Sequence, residues 1–524
     1  MKNSKVYFFW LFVLFLGSTG FECSKKSSPP PPPGNVQASS YSPNIPVLRG
    51  LAENPVVRVA ITIPAGNAEQ KIRKLQCTLN TQAIAEVDKI NIYASGADPV
   101  FTIPSIASVS PAAAMDIPVT LNMQPGTRFI WFSIVLKNGA AIDNKIELRC
   151  IKLITEEGKE IIITQDNSVY SKRAGVAVRK AGDDGVNTYR IPGIVQTDRG
   201  TLIAVYDIRY TGSGDLPGNI DVGMSRSTDS GRTWQPMKII MDMGAPHENN
   251  GIGDPAVLFD PVTKKLFVAA LWSKGNRSIA GSIGGISPDS TGQFVLVSST
   301  DDGATWSAPY TITPQIKEPA WKIFFNGPGN GIAMQDGKLV FAAQYWTAGN
   351  VPYSTIIYSD NNGGTWKGKI LGPKSNTTEA QVVETTAGTL MLNMRDNRGS
   401  FRSVATTNNM GASWTEHSTS YNTLPDPVCM GSFIKARVNV NGTLKDVLFF
   451  SNPNTSAAPR EKITIKASLD LGQTWLPVNQ LLIDERSCYG YSCLTKIDDN
   501  TIGLLYEGTK DLYYVKVPVS EIIK

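Results

Sequence analysis

The sequence predicts an all-β protein, a six-bladed β-propeller preceded by an N-terminal β-sandwich. Three observations carry this expectation. One octapeptide pattern, Ser/Thr-x-Asp/Asn-x-Gly-x-Ser/Thr-Trp, recurs five times in the C-terminal two thirds of the chain. Short runs rich in valine, isoleucine and aromatic residues surround each copy and also fill the region before the first. The chain has 524 residues with 46 glycines, too long for one core and rich in tight turns.

At the N-terminus, Lys2 and Lys5 precede an apolar run from Val6 to Leu16 and then the small residues of GSTG. This is the layout of an export signal, assigned to residues 1–22, and it is too short to span a bilayer. The protein is therefore expected to be exported to the periplasm, the cell surface or the medium. Cys23 is a candidate lipid-attachment cysteine, although Glu22 stands where a small residue is expected. Residues 23–45, which include SKKSSPPPPPGN, read as a stiff proline-rich spacer.

Residues 46–168 hold the strand-like runs VVRVAITI, KINIYAS, RFIWFSIVL, KIELRCIKLI and KEIIITQ, separated by Gly, Pro, Asn and Asp. They predict the β-sandwich, a candidate carbohydrate-binding module or a spacer for the C-terminal domain. Cys77 with Cys150, and Cys488 with Cys493, are candidate disulfide partners in an exported chain, with buried free thiols the equal alternative.

Residues 172–524 hold the repeat. Its copies begin at Ser227, Ser299, Ser359, Thr407 and Ser468 and end at Trp234, Trp306, Trp366, Trp414 and Trp475. About 350 residues at roughly 60 per unit make about six blades. Glycine supplies a positive φ, the Asp or Asn side chain folds back onto backbone N–H groups, and the tryptophan buries an apolar face. Asn361 and Asn409 replace Asp229, Asp301 and Asp470 in two copies. An amide can replace a turn acceptor but not an acid catalyst, so the boxes read as structural.

Composition narrows the chemistry. The formal charge is +5 without a long basic run, so nothing points to nucleic acid. His247 and His417 are the two histidines of the chain, and neither lies in a triad or metal-ligand motif. Catalysis would run on carboxylates, tyrosines and arginines, and no cofactor or metal is expected.

The octapeptides resemble the Asp boxes of bacterial sialidases (neuraminidases), and TYRIPGIV at 188–195 is similar to that family's Arg-Ile-Pro signature. The resemblance covers residues 172–524 and implies an exo-α-sialidase acting on sialylated glycoproteins, glycolipids or oligosaccharides with retention, through a tyrosyl-enzyme. It implies three arginines for the substrate carboxylate, a planar group best held by forked guanidinium groups. These are Arg190 of YRIP, Arg395 of LNMRDNRG, with Arg398 as a rival, and Arg460 of SAAPREKI. The acid/base residue is expected at Asp215, in the glycine-rich loop after Arg209, with Asp207 and Asp221 as alternatives. Arg209 is expected to contact substrate and Asp207 to orient it. The nucleophile is expected to be a tyrosine, because a neutral phenol avoids repulsion by the substrate carboxylate, and Tyr491 of GYSCL matches the family's Tyr-Ser context better than Tyr489. Glu379 is its expected base, and Glu507 the expected partner of Arg190. The fragments GDPAVLFD and GPGNGI also look like family segments, without an assigned role. The competing expectations are a non-catalytic sialoglycan-binding propeller and a trans-sialidase.

Overall fold

The computed structural model describes residues 34–524. The expected export signal at 1–22, Cys23 with its expected lipid and the proline run of the spacer lie outside the described residues. Among the described residues no helix is long and apolar enough to cross a membrane. Nearly all regular structure is strand, and the α-helices are single turns at Thr81–Ile84, Thr313–Ile316 and Val519–Ile522.

Folded structure begins inside the stretch expected to be spacer. Gln37–Tyr41 is a strand, paired antiparallel with Pro55–Ile63 and parallel with Glu160–Gln165. Its sequence, QASSY, is short and polar, so local propensity does not announce it. The two flanking strands order it by offering unpaired edges. Pro55–Ile63 continues the pairing to Gly126–Leu136, which pairs in turn with Val87–Gly96. Gln70–Leu79 pairs on one side with Ala114–Met123 and on the other with Lys145–Thr155. Strict alternation, clearest in Ala114–Met123, sends Ile61, Ile72, Ile117, Ile130 and Leu153 into one shared core. Cys77 and Cys150 face each other across two of these strands as free thiols, and Cys488 and Cys493 are free as well.

The rest of the chain is a β-propeller. Five sheets stand free as blades. The first is Thr188–Gln196, Leu202–Arg209, Ile220–Ser227 and Lys238–Met241. The others begin at Ile252, Ile323, Thr377 and Ser432 and are mainly antiparallel; the one at Ile252 adds a parallel pairing with Gly329–Asn330, and in the one at Ile323 two short strands, Ile323–Asn326 and Ile332–Ala333, pair with Leu339–Trp346. Six free blades were expected. The last three strands, Ser492–Asp498, Thr501–Glu507 and Leu512–Pro518, instead belong to a fourteen-stranded sheet shared with the N-terminal region. The cause is the strand Ser171–Arg179. Residues 175–179 pair with Leu512–Pro518, while residues 171–173 pair with Lys145–Thr155. Ser492–Asp498 packs on both Ser432–Val440 and Thr188–Gln196, which closes the ring.

In four of the blades the octapeptide joins the third and fourth strands, and in the blade that begins at Ile323 it follows the last strand, Pro352–Ser359, and leads to a single bridge between Tyr358 and Lys367. In the first, Asp229 Oδ1 accepts from Thr233 N–H at 2.8 Å and Oδ2 from the Thr233 hydroxyl at 2.6 Å, while Gly231 N–H donates to Ser227 Oγ at 2.9 Å. Asn361 Oδ1 accepts from Thr365 N–H at 2.9 Å, and Asn409 Oδ1 accepts from Ser413 N–H at 2.9 Å. Amide and carboxylate thus make the same turn bond. Each box glycine has a positive φ and rests on a side chain from elsewhere in the ring. A Cβ would stand 2.1 Å from Tyr514 at Gly231, 2.7 Å from Ile203 at Gly303 and 2.2 Å from Phe267 at Gly363. The tryptophans pack beside them, Trp234 edge-on to Tyr514 and Trp366 edge-on to Phe267.

Gly363→Ala is expected to lower stability by about 2–4 kcal/mol, the sum of a forced left-handed residue and an overpacked seat, read as a fall in Tm. Asp301→Asn is expected to leave the Tm at neutral pH nearly unchanged. Bonds from Thr305 hold the Asp301 carboxyl down at about 2. Its folded-state value is depressed, so its contribution is present above the unfolded value near 3.8 and is lost as pH falls through about 2. Acid unfolding of Asp301→Asn should therefore lack that increment.

Candidate active site

The first strands of three blades carry register slips. In Thr188–Gln196 the register slips between Arg190 and Gly193, and Ile191 lies at φ 56°, a costly conformation for a β-branched residue. Pro192 lacks an N–H, which removes a ladder bond there, and Gly193 admits the Gly329 carbonyl, 2.4 Å from where a Cβ would sit. A second slip lies between Gly253 and Ala256, with Asp254 at φ 59°, and a third between Thr377 and Ala380, around Glu379. Such bulges re-aim side chains toward the axis.

Glu507 holds the strained segment. Its side chain is fully buried, and Oε1 accepts from Arg190 Nε at 3.1 Å and from Ile191 N–H at 2.9 Å. Its Oε2 accepts from Tyr491 N–H at 2.8 Å. Tyr491 is the hub of the cluster. Its hydroxyl lies 2.5 Å and 2.7 Å from the Glu379 oxygens and 3.0 Å from Arg395 Nη1. The guanidinium carbons of Arg190 and Arg460 stand 5.3 Å and 5.8 Å from its ring. Burial, reinforced by the Glu379 carboxylate, raises the Tyr491 phenol well above its ordinary value, against the pull of Arg395 and Arg190. The phenol is therefore protonated at rest.

Arg209 is buried and held by Asp207 at 2.7 Å. Its Nη1 donates at 2.7 Å to Asp215, which also accepts from Arg190 Nη1 at 3.3 Å. Asp215 is on the loop after Arg209, and its side chain is 76% exposed toward the cavity mouth. Desolvation raises its carboxyl, but Arg209 and Arg190 outweigh this and hold it below the usual carboxylate range. Arg395 donates to Glu379 at 2.6 Å, and its buried Nε has no partner among the described residues. Arg460 is tethered behind Tyr491 by the Tyr489 and Val428 carbonyls, at 2.9 Å and 2.6 Å.

All nine expected site residues, Arg190, Asp207, Arg209, Asp215, Glu379, Arg395, Arg460, Tyr491 and Glu507, thus fall in one connected cluster. Two of the rivals, Arg398 and Asp221, have their hydrogen bonds outside this cluster, whereas Asp207 and Tyr489 belong to it in supporting positions. Arg398 turns to Asp396 and the Ser375 carbonyl, and Asp221 accepts from Tyr210. Tyr489 lends its ring to Arg190, at 4.7 Å from the guanidinium carbon.

Four of the nine, Asp215, Glu379, Arg395 and Tyr491, line a cavity of about 530 Å³ together with Ile191. Sequence reasoning missed Asp254, which also lines it. Burial pushes the Asp254 carboxyl well up, and Asp207, Asp215 and Glu379 add to the effect. A protonated Asp254 can donate to, as well as accept from, a bound hydroxyl. Its backbone N–H donates to Asp207 at 2.8 Å, so one carboxylate positions Arg209 and Asp254 together. The signal was present in GDPAVLFD, but its role is visible only from the ring. An apolar wall of Leu216, Leu271, Ile279, Phe325 and Trp346 was likewise not foreseen.

Family models match residues 191–484, described as a BNR repeat-like domain, and residues 35–159, described as the N-terminal domain of BNR-repeat neuraminidase. A sialidase from Bacteroides fragilis is 44% identical over 438 residues, covering 82% of this chain and 80% of that protein. A sialidase from Micromonospora viridifaciens is 34% identical over 344 residues, covering 64% of this chain and 52% of that one. Among solved structures, a Hadza microbial sialidase superposes with a TM-score of 0.86 at 38% identity, covering 93% of this chain and 100% of that one.

Glu507→Gln is expected to cost about 3–5 kcal/mol of stability, because it leaves the buried Arg190 charge without its counter-charge. The check is chemical denaturation of the variant beside wild type, with substrate affinity falling in parallel.

Proposed function

We propose how this chain, which belongs to the BNR-repeat neuraminidase family and is a glycoside hydrolase of the exo-α-sialidase type, carries out its reaction on sialylated substrates. The observation that carries the mechanism is the contact of the Tyr491 hydroxyl with both Glu379 oxygens, with three arginines gathered around the same ring.

In this reading Arg190, Arg395 and Arg460 receive the substrate carboxylate, and Arg209 helps to seat the sugar. The incoming carboxylate offsets the positive field that depresses Asp215, so the bound substrate itself favours protonation of that group. Asp215 then gives its proton to the glycosidic oxygen as the bond to the anomeric carbon breaks. The Tyr491 oxygen bonds to that carbon while its proton passes to Glu379, which yields a neutral aglycone and a tyrosyl-enzyme. Water next attacks the same carbon, Asp215 takes the water proton, and Glu379 returns a proton to Tyr491. Two displacements at one carbon retain configuration.

A carboxylate in place of Tyr491 would face both the substrate carboxylate and Glu379. The phenol avoids that repulsion, and Glu379 supplies the base it needs. The strands before Tyr170 read as a β-sandwich carried beside the propeller, and the leader-like residues 1–22 support export.

Asp215→Asn and Tyr491→Phe should each lower kcat for a sialoside by about 10²–10⁴-fold, the range of a lost general acid or nucleophile step, with unchanged Tm. Proton NMR of the first-formed product should show the retained anomer. Near-normal turnover in either variant, or an inverted product, overturns the assignment. A separate check is mass spectrometry of enzyme treated with a 2,3-difluoro sialic acid, where the added mass should map to the peptide containing Tyr491.

A further inference from the structure

Three arginines of the cluster are paired with buried carboxylates, Arg190 with Glu507, Arg209 with Asp207 and Arg395 with Glu379. Arg460 is held differently. Among the described residues it has no carboxylate partner, and its hydrogen bonds go to two backbone carbonyls, those of Tyr489 and Val428. A carbonyl aims a guanidinium only as firmly as its own peptide group is fixed. The Val428 carbonyl shares its peptide group with the Cys429 N–H, and Val428 lies at φ 55°, a costly conformation for a β-branched residue. Local backbone preference therefore does not keep this peptide in place.

A buried polar cluster does, drawn from the blades that begin at Thr377 and Ser432 and from the link between them. Asp426 Oδ1 accepts from the Cys429 N–H at 2.9 Å. Arg402 Nη1 donates to the Cys429 carbonyl at 2.5 Å and stands 3.6 Å from Asp426 Oδ2. One ion pair thus grips two successive peptide groups. Asn452 fixes the carboxylate in turn, donating to Asp426 Oδ2 at 3.1 Å while its own oxygen accepts from Lys466 at 2.6 Å. All four side chains are buried, so water does not screen these contacts. In a trans peptide the N–H and the C=O point in opposite directions. The Asp426 carboxylate and the Arg460 guanidinium therefore occupy the two ends of one peptide dipole, each at the end that suits its charge.

We propose that Asp426 is a positioning residue for substrate binding, which aims Arg460 through the Val428–Cys429 peptide, an inference that rests on Arg460 receiving the substrate carboxylate. Asp426 does not line the cavity and acts at one remove. Turning the peptide over would set the Val428 carbonyl against the Asp426 carboxylate, oxygen to oxygen, and would take from Arg460 one of its two tethers. The negative charge at 426 forbids that turn. Its loss slackens the guanidinium and leaves Tyr491, Glu379 and Asp215 with their own partners.

The test is steady-state kinetics of the full chain on a small soluble sialoside, for Asp426→Asn, Arg460→Ala and the two combined. An amide at 426 can donate to the Val428 carbonyl and so permits the turn that a carboxylate forbids. Asp426→Asn should raise KM about tenfold, the effect of one weakened charge-assisted contact, with kcat within about threefold of wild type. In the Arg460→Ala background the same substitution should change KM by about twofold or less, because the group it aims is gone. If Asp426→Asn does not fold, Asp426→Asn with Arg402→Gln takes its place, since the buried ion pair is then removed together rather than broken. The proposal fails if the substitution at 426 lowers kcat and leaves KM unchanged, or if its effect on KM multiplies in full with that of Arg460→Ala. Arg460→Ala with the KM of wild type overturns instead the role of Arg460 itself, which tells the two failures apart.

Discussion

The site depends on one fully buried carboxylate. Glu507 lies on a strand of the last sheet and holds Arg190, on the first strand of the first blade, together with the backbone of Ile191 and Tyr491. It therefore ties the two ends of the propeller at the place where the chemistry is assembled. Ile191 stays in its unfavourable backbone conformation because its N–H donates there to a buried, charged acceptor. The same bonds stack Arg190 against Tyr489 and Tyr491, so a carboxylate-binding group and the hydroxyl hub share a single support.

Charge in the cavity is arranged by pairing rather than by excess. Asp207 answers Arg209, Glu379 answers Arg395 and Glu507 answers Arg190. Asp215 shares the outer nitrogens of two of these arginines and lies at the exposed end of the network. An arriving anion competes with Asp215 alone, and the buried pairs need not break. Asp254 has no ion-pair partner among the described residues, and burial, with Asp207, Asp215 and Glu379 adding to it, pushes its carboxyl well above the ordinary carboxylate range. Two groups pushed toward their neutral forms, Asp254 and Tyr491, thus sit within a set of paired ions.

Much of this was legible in the sequence where the residue type alone determines the geometry. The box turns could be read because Gly, Ser/Thr and Asp/Asn at fixed spacing make the same local bonds in every copy, as Asp229 and Asn361 do. The runs before Tyr170 announced their strands by alternation. What escaped was long-range. Nothing local in Ser171–Arg179 says that it pairs in two directions, so the last three strands joined the N-terminal sheet instead of standing as a sixth free blade. Gln37–Tyr41 is ordered by neighbours more than a hundred residues away on one side. Asp254 and the wall of Leu271, Phe325 and Trp346 acquire meaning only when blades are set around an axis. Residues bearing a known signature could be found one at a time; the surface between them could not.

The seat of the first box bears on how the chain is made. Gly231 and Trp234 close against Tyr514, which follows them by about 280 residues, whereas Gly303 and Gly363 close against Ile203 and Phe267, which precede them. As the polypeptide leaves the ribosome, the later boxes find their seats already synthesised, and the earliest does not. The first blade must therefore wait, with its tryptophan away from this seat, until the strand Leu512–Pro518 has emerged. Completion of the ring is then a single late event, which a nascent or truncated chain cannot reach.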